Sequence, residues 1–406
     1  MKVNLAILFE QDLQAGGGYQ QALNAALLAN SLPKEFIKVR CFTLNKKNIK
    51  ILNNLDIKAE FLNLSFLIKL VIYLKTTPRY KFIGYFLNIF FNKSFLEKKL
   101  KPFDIDIIYF LSPSRLAADL NNLNYIYTVW DISHRDDPEF PEVRFDEEFE
   151  FREMKFKKIL PKAHSIIVDS DFSKKNIAKK YLLDEKRLHV IPHEPSYFIK
   201  NHKYKFKEKK QYILDKNSYI FYCAQFWPHK NHVYIIDGIN LLAKKYGIKL
   251  NIIFSGSDKG NLSYLKQYVK TNGLEERVKF LGFVSDNEMI DLYANALALV
   301  MPTYFGPTNI PPLEAFKLGI PVLYSDLDGL REQVGNAGLL LNLNDEVSLA
   351  DNLYNLISDN NLRIKLINAG FRRLDEINSI NRSEVLKDII KDFYRKKKTF
   401  NMQFYK

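Results

Sequence analysis

The sequence predicts an α/β protein built from two doubly wound parallel sheets, and three observations lead there. The first is length: 406 residues exceed what one compact core normally encloses, so two domains are expected. The second is alternation, because short apolar runs that read as buried strands are followed by helical stretches in both halves of the chain. The third is composition: 47 % hydrophobic and 14 % aromatic residues exclude a disordered chain.

Taken in order, Met1–Phe9 reads as a first buried strand, its apolar run being too short for a signal peptide. Gly16-Gly17-Gly18 then precede an apolar-periodic helix, where glycine lets the backbone come close to a ligand. From Phe61 to Leu100 aromatic and basic residues mix on helical segments. No run reaches the roughly 18–20 uncharged residues of a spanning helix, so helices lying in a lipid interface are expected. Strands over Ile107–Leu111 and Tyr125–Val129 follow. The second ends in Trp130-Asp131-Ile132-Ser133-His134-Arg135, a charged cluster at the strand end where open α/β sheets hold ligands. Phe140–Val143 and a charged helix over Arg144–Leu160 read as acceptor-side structure. A strand at Ser165–Asp169 with a capping Ser170 and a closing strand at Leu188–Pro192 complete a first domain over 1–197. Residues 198–212, rich in Lys and Tyr, read as the linker.

In the second domain, over 213–380, the strand Ser218–Cys223 leads into Ala224-Gln225-Phe226-Trp227-Pro228-His229-Lys230-Asn231. Lys and His there can meet a phosphate by charge and by helix-start amides. Strands at Leu250–Phe254 and Val278–Phe283 follow, the first ending in the Gly256-Ser257-Asp258 turn. A helix at Asp286–Asn295 then leads to the most informative stretch. An apolar run, Ala296–Met301, stops at Pro302. The loop Thr303–Asn309 cannot continue a strand or helix, and Pro311 and Pro312 suit a first helical turn. Glu314 is expected in that first turn, before Gly319 and a strand at Ile320–Tyr324. Helices over Val347–Ile357, Leu362–Glu376 and Ser383–Tyr394 finish the chain, with 381–406 as a last helix and basic tail.

The net charge of +14 predicts an anionic partner. Nucleic acid is not expected, since no zinc-finger spacing or RNP-like stretch is visible; a membrane surface ranks first. Two cysteines, Cys41 and Cys223, far apart, suggest no disulfide framework or metal spacing, so a reducing, cytoplasmic setting with peripheral membrane contact is expected.

The stretch Met301–Val322 resembles the second half of the Glu-x7-Glu region of retaining, nucleotide-sugar-dependent glycosyltransferases of family four. The resemblance implies the GT-B fold, two Rossmann-like domains facing a cleft, with the last helix crossing back to the first domain. It implies that Glu314 holds the donor ribose and that Asn309 and Ile310, with Thr308 beside them, offer backbone to its diphosphate. Lys230 matches the family's phosphate-clamping Lys, with Gln225 where Arg is usual. Gly282-Phe283-Val284-Ser285 resembles the loop whose backbone reads the base, so Phe283 and Val284 join the donor set with Gly256. Gly17 and Gly18 would face donor phosphate and acceptor. Asp131 matches the family's Asp, Trp130 stands at its usual His, and His134 is the candidate to take over that polar role. The first Glu is replaced by Gly306.

These features imply a retaining glycosyltransferase of bacterial surface-polysaccharide assembly. Its donor would be a nucleotide-diphosphate sugar and its acceptor a glycan or lipid-linked glycan. Asp131, His134, Lys230 and Glu314 form the expected catalytic set. No paired Asp motif calls for a metal, and no cofactor beyond the donor is expected. A nucleotide-sugar epimerase and a catalytically silent sugar-nucleotide-binding scaffold are the alternatives.

Overall fold

The computed structural model describes residues 2–10, 12–13, 17–90, 93–201 and 218–399, with only the backbone of Gly17 and Asn88. The described residues fall into two units. The first holds 1–138, 143–192 and 381–406; the second holds 139–142 and 193–380. Most of the expected linker, 202–212, lies outside the described residues, as do Gly16 and the end of the basic tail.

The first unit is a seven-stranded sheet made of β1 (Val3–Phe9), β2 (Ile37–Thr43), β3 (Ala59–Phe61), β4 (Ile107–Phe110), β5 (Asn124–Thr128), β6 (Ser165–Val168) and β7 (Leu188–Val190). Its order is β3-β2-β1-β4-β5-β6-β7, and every pairing is parallel. The second unit has six strands: β8 (Tyr219–Cys223), β9 (Asn251–Ser255), β10 (Val278–Phe280), β11 (Leu299–Met301), β12 (Val322–Ser325) and β13 (Gly338–Leu341). They are parallel in the order β10-β9-β8-β11-β12-β13. This is the doubly wound α/β arrangement the sequence predicts, present twice.

Such strands are covered on both faces, which is why they read as continuous apolar runs. β4 and β12 are buried at every position. The aromatic content is placed here, and each buried phenol of these strands needs a partner. Tyr125 donates to the Ile159 carbonyl at 2.7 Å, Tyr127 to Ser114 at 3.1 Å and Tyr219 to Leu292 at 2.7 Å. Each unit closes its own apolar core, one around Ile108, Phe110 and Ile166, the other around Phe221, Ile253 and Val300. One cysteine sits in each: Cys41 buried in β2, Cys223 half-buried at the end of β8.

The order of strands reverses between β1 and β4 in the first unit and between β8 and β11 in the second. At these switch points the flanking connections leave to opposite faces, so the carboxyl ends of the two strands open a crevice for ligand. The helix Arg382–Lys397 returns to the first unit, as expected. Arg382 Nε donates to the Pro192 carbonyl at 2.9 Å, Phe393 meets His164 with ring centroids 5.4 Å apart, and Lys397 pairs with Asp106.

Several element boundaries differ from expectation for local reasons. The charged helix begins at Glu148 because Asp146 and Glu147 take left-handed backbone angles. Residues Glu139–Glu142, expected with the acceptor-side domain, belong to the second unit. Tyr197–Asn201, expected at the start of a linker, is a short helix whose Ile199 enters the second core.

Candidate functional site

At the second unit's switch point, the segment after β8 and the segment after β11 meet. The chain leaves β8 as an extended loop, with Phe226 N–H donating to the Ser257 carbonyl at 3.0 Å. It passes so close to the neighbouring turn that a Cβ on Gly256 would lie 2.0 Å from the Ala224 carbonyl oxygen. Only glycine fits there. Pro228–Lys230 then makes one 3-10 turn, and Asn231 at φ 53° breaks it before the helix His232–Tyr246 begins. The break directs Lys230 away from the helix. Its Nζ lies 3.4 Å from both Thr303 Oγ1 and Asn309 Oδ1, above the loop that follows β11.

The turn is held by a carboxylate. His229 N–H donates to Glu142 Oε1 at 3.0 Å, its ring Nδ1 meets the same oxygen, and the ring stacks on Phe305 with centroids 4.3 Å apart. Burial acts to raise the Glu142 pKa, but the bonds from His229 outweigh it and leave it lowered. His232, fully buried among Tyr222, Phe226 and Phe254, is pushed down to about 3 by burial and is therefore neutral.

The loop after β11 ends at the helix Ile310–Lys317. Pro311 and Pro312 bring no N–H, so Ile310 and Leu313 carry the amides of the first turn. The structure corrects the expectation for Asn309, whose N–H donates to Gln333 Oε1 at 2.9 Å while its carbonyl accepts from Gln333 Nε2 at 2.6 Å. That amide is spent inside the protein, and its side chain, bonded to Tyr324 at 2.7 Å, is what faces Lys230. Gly306, at φ 88°, stands in backbone space that an L residue resists. A Cβ there would press on the Asn309 amide at 3.2 Å.

Glu314 lies one turn deeper than expected, at the fifth helical position. It is only 7 % exposed and accepts from Tyr293 OH at 2.9 Å. Burial raises its pKa against hydrogen bonds from Ser196 and Tyr293. Tyr293 OH also lies 2.7 Å from Cys223 Sγ, so with the phenol proton on Glu314 the thiol donates to the phenol oxygen. Gln225 accepts from Trp227 Nε1 at 3.1 Å, turning the expected Arg substitute towards its own loop. Gly282 accepts from Gly256 N–H at 2.8 Å and draws the base-loop candidates alongside. Val284 there is buried, whereas Phe283 stands 74 % exposed. Thr308 is half-buried beside Asn309.

In the first unit, Gly17 and Gly18 open the helix Gly17–Asn30. Asp131 follows β5 and accepts from Ser133 N–H at 3.0 Å and Arg152 at 3.2 Å. Burial works against its charge, but Arg152 and Ser133 outweigh it and hold the pKa below the usual value. His134 does not fit the expected role. Its ring is fully buried against Phe149 and Phe156, with Nε2 3.0 Å from Glu153 Oε1. It helps to build a pair in which Arg135 Nε and Nη2 hold Glu153 at 2.5 Å each. Sequence reasoning missed Glu142, Thr303 and Gln333. Only Glu142 carried any signal, as a carboxylate in a Phe-Pro-Glu turn.

Residues 204–373 match the family model described as glycosyl transferases group 1. Among curated proteins, O-antigen chain mannosyltransferase B of Escherichia coli is 26 % identical over 232 residues, 55 % of this chain and 59 % of its own. O-antigen chain mannosyltransferase RfbU of Salmonella typhimurium is 33 % identical over 183 residues, 45 % of this chain and 48 % of its own. The chain thus spans about half the length of these relatives. Among solved structures, WaaG, a glycosyltransferase involved in lipopolysaccharide biosynthesis, superposes with a TM-score of 0.66 at 15 % identity, covering 96 % of this chain and 99 % of its own. HepE of Anabaena in complex with UDP-glucose gives 0.66 at 17 % identity, covering 96 % and 99 %. At such identities the likeness is one of fold.

Proposed function

We propose, for a chain whose residues 204–373 match the family model of group 1 glycosyl transferases, that it moves a sugar with retention from a nucleotide-diphosphate donor to a glycan or lipid-linked glycan. The setting would be assembly of a surface polysaccharide. Relatives named as O-antigen mannosyltransferases and a fold shared with a lipopolysaccharide glycosyltransferase support the reading. The observation that carries it is Lys230, held over the loop after β11 at the switch point of the second unit, beside the start of the helix Ile310–Lys317.

As the glycosidic bond breaks, negative charge grows on the leaving diphosphate. A fixed ammonium and the Ile310 amide stabilise that charge more than they stabilise the neutral side of the ground state. The Asn309 side chain, oriented by Tyr324 and Gln333, holds Lys230 in place rather than offering its own N–H. Glu314, raised by burial and bonded to Tyr293, takes a ribose hydroxyl through its remaining lone pairs. Phe283, exposed beside the Gly256–Gly282 contact, gives the base an aromatic face to rest on. Asp131, kept ionised by Arg152, orients the acceptor or the transferred sugar.

A membrane surface is part of this reading. The helices Phe66–Thr76 and Lys81–Phe90 expose Phe66, Leu67, Phe82, Tyr85, Phe86 and Phe90, with Lys69 and Lys81 exposed among them and Lys75 half-buried. Among the described residues no helix is long and apolar enough to cross a membrane. Such a face suits the interface plane, with basic groups at the level of anionic headgroups.

A thermal-shift panel of nucleotide sugars, followed by product analysis with the stabilising donor and membrane extract, tests the proposal. Stabilisation by one nucleotide sugar and a lengthened glycan are expected. Release of free or epimerised sugar would favour the epimerase reading, and stabilisation without turnover the silent scaffold.

A further inference from the structure

The switch point of the first unit carries a cluster that the donor site does not use. Glu10 follows β1, Arg115 opens the 3-10 turn after β4, Asp131 follows β5, and Glu148, Arg152 and Lys155 come from the helix Glu148–Ile159. Arg152 is matched, donating to Glu148 at 2.8 Å and to Asp131 at 3.2 Å. Arg115 and Lys155 are not. Among the described residues they make no ion pair or side-chain hydrogen bond and are held by rings. Arg115 lies 5.0 Å over Tyr73 and 4.4 Å over Phe151, and Lys155 lies 5.4 Å over Phe151 and 4.7 Å over Phe156.

Burial disfavours both charges, lowering Arg115 and bringing Lys155 down to about 8. Glu148 acts on both cations but is bonded to Arg152, and Glu10, which faces the same cluster, is itself pushed up to about 7 by burial, with Ser114, Lys155 and Arg115 pulling the other way. With Glu148 and Asp131 bonded to Arg152 and burial disfavouring charge on Glu10, two partly desolvated cations rest on aromatic rings with no carboxylate bonded to either among the described residues. An incoming dianion would complete them, at the place in an open α/β sheet where ligands are held.

We propose that Arg115 and Lys155 form an anion subsite of the first unit that takes a phosphate group of the acceptor, a designation that rests on the glycosyltransferase reading. Through Tyr73 this subsite is joined to the helix Phe66–Thr76, whose outer face is apolar, so a phosphate carried by a lipid suits it.

The full chain carrying Lys230→Met, which silences the second unit's phosphate-facing lysine, is titrated with inorganic pyrophosphate by calorimetry. Adding Arg115→Gln and Lys155→Met should weaken binding by about tenfold or more. Unchanged affinity overturns the proposal. Arg115→Lys keeps the charge and should keep binding within about threefold. If the double variant does not fold, Lys155→Gln alone decides on the same criterion, loss or no loss. Farnesyl diphosphate in detergent forms the second arm. Tighter binding than pyrophosphate, lost in the same variants, assigns the phosphate to a lipid carrier, and equal binding assigns it to a soluble phosphorylated acceptor. Without Lys230→Met, the Arg115 and Lys155 variants should still be stabilised by nucleotide sugar. Pyrophosphate dependence on Arg115 and Lys155 in a protein that no nucleotide sugar stabilises would leave the subsite standing and remove the transferase reading.

Discussion

Lys230 and Glu314 are where the proposed chemistry meets single residues, and they fail differently when changed. Lys230→Met removes a cation whose partner charge grows during bond breaking. Turnover should fall about 10²–10³-fold with donor binding reduced less, as read from kcat against KM. Glu314→Gln keeps shape and the Tyr293 contact but loses the stronger acceptor. Donor affinity should fall about tenfold with little change in melting temperature, and an unchanged dissociation constant would refute the ribose role. The segments that carry both residues were legible in the sequence because a strand end and a proline-marked helix start can each be read locally, whereas the roles proposed for them come from the family resemblance. The fate of the Asn309 amide was not, since its partner Gln333 comes from the next helix, 24 residues on, by a contact with no sequence signature. His134 was misread for the same reason. Its neighbour Glu153 is 19 residues away, and only the packing of Phe149 and Phe156 turns the ring inward.

At the scale of elements, Glu153 ties three helices together. It sits on Glu148–Ile159, holds Arg135 of the turn Ser133–Asp136, and accepts from Tyr181 of Asp171–Tyr181 at 2.8 Å. Burial opposes its charge, but Arg135, Tyr181, Lys157 and His134 outweigh that and depress its pKa far below the ordinary value of 4.5. A depressed folded-state pKa means stability that is fully present above 4.5 and lost as pH falls through the acid range below it. Glu153→Gln should therefore cost about 3 kcal/mol at pH 7 and flatten the loss of stability between pH 4.5 and the acid limit, as urea titrations at several pH values would show. An equally steep acid transition in the variant would contradict this. Long, capped or strongly apolar elements were readable: Asp286–Asn295 appears with the Ser285–Glu288 capping box its sequence spells. The strands β2 and β3 were not: β2 breaks its apolar run with Lys38 and Arg40, and β3 is only three residues, Ala59–Phe61, at the sheet edge. β13 was passed over as well, a four-residue run between turns.

For the whole molecule, charge and apolar exposure act together. In the proposed membrane setting, the net charge of +14 would draw the chain to an anionic surface, and the bare aromatic faces of Phe66–Thr76 and Lys81–Phe90 would supply what holds it there. Replacing Lys69, Lys75, Lys81 and Lys93 with Glu should reduce co-sedimentation with phosphatidylglycerol vesicles several-fold at about 0.1 M salt, since each basic group contributes about 1 kcal/mol. Equal sedimentation would remove the membrane from the proposal. Two doubly wound sheets were legible from alternation and length, which are properties of the whole chain. That Glu139–Glu142 would join the second unit was not, because nothing local to those residues names His229 as their partner.

The placement of the two thiols gives each unit its own chemical clock. Burial pushes Cys41 up to about 12 and raises Cys223 as well, so neither sulfur presents a thiolate to a reagent while its unit stays closed. Alkylation by iodoacetamide should then proceed only through opening, with Cys41 reporting on the seven-stranded sheet and Cys223 on the six-stranded one. Adding a bound nucleotide sugar should slow labelling at Cys223 and leave Cys41 unchanged, so peptide mass analysis of one timed reaction reads the stability of both halves at once.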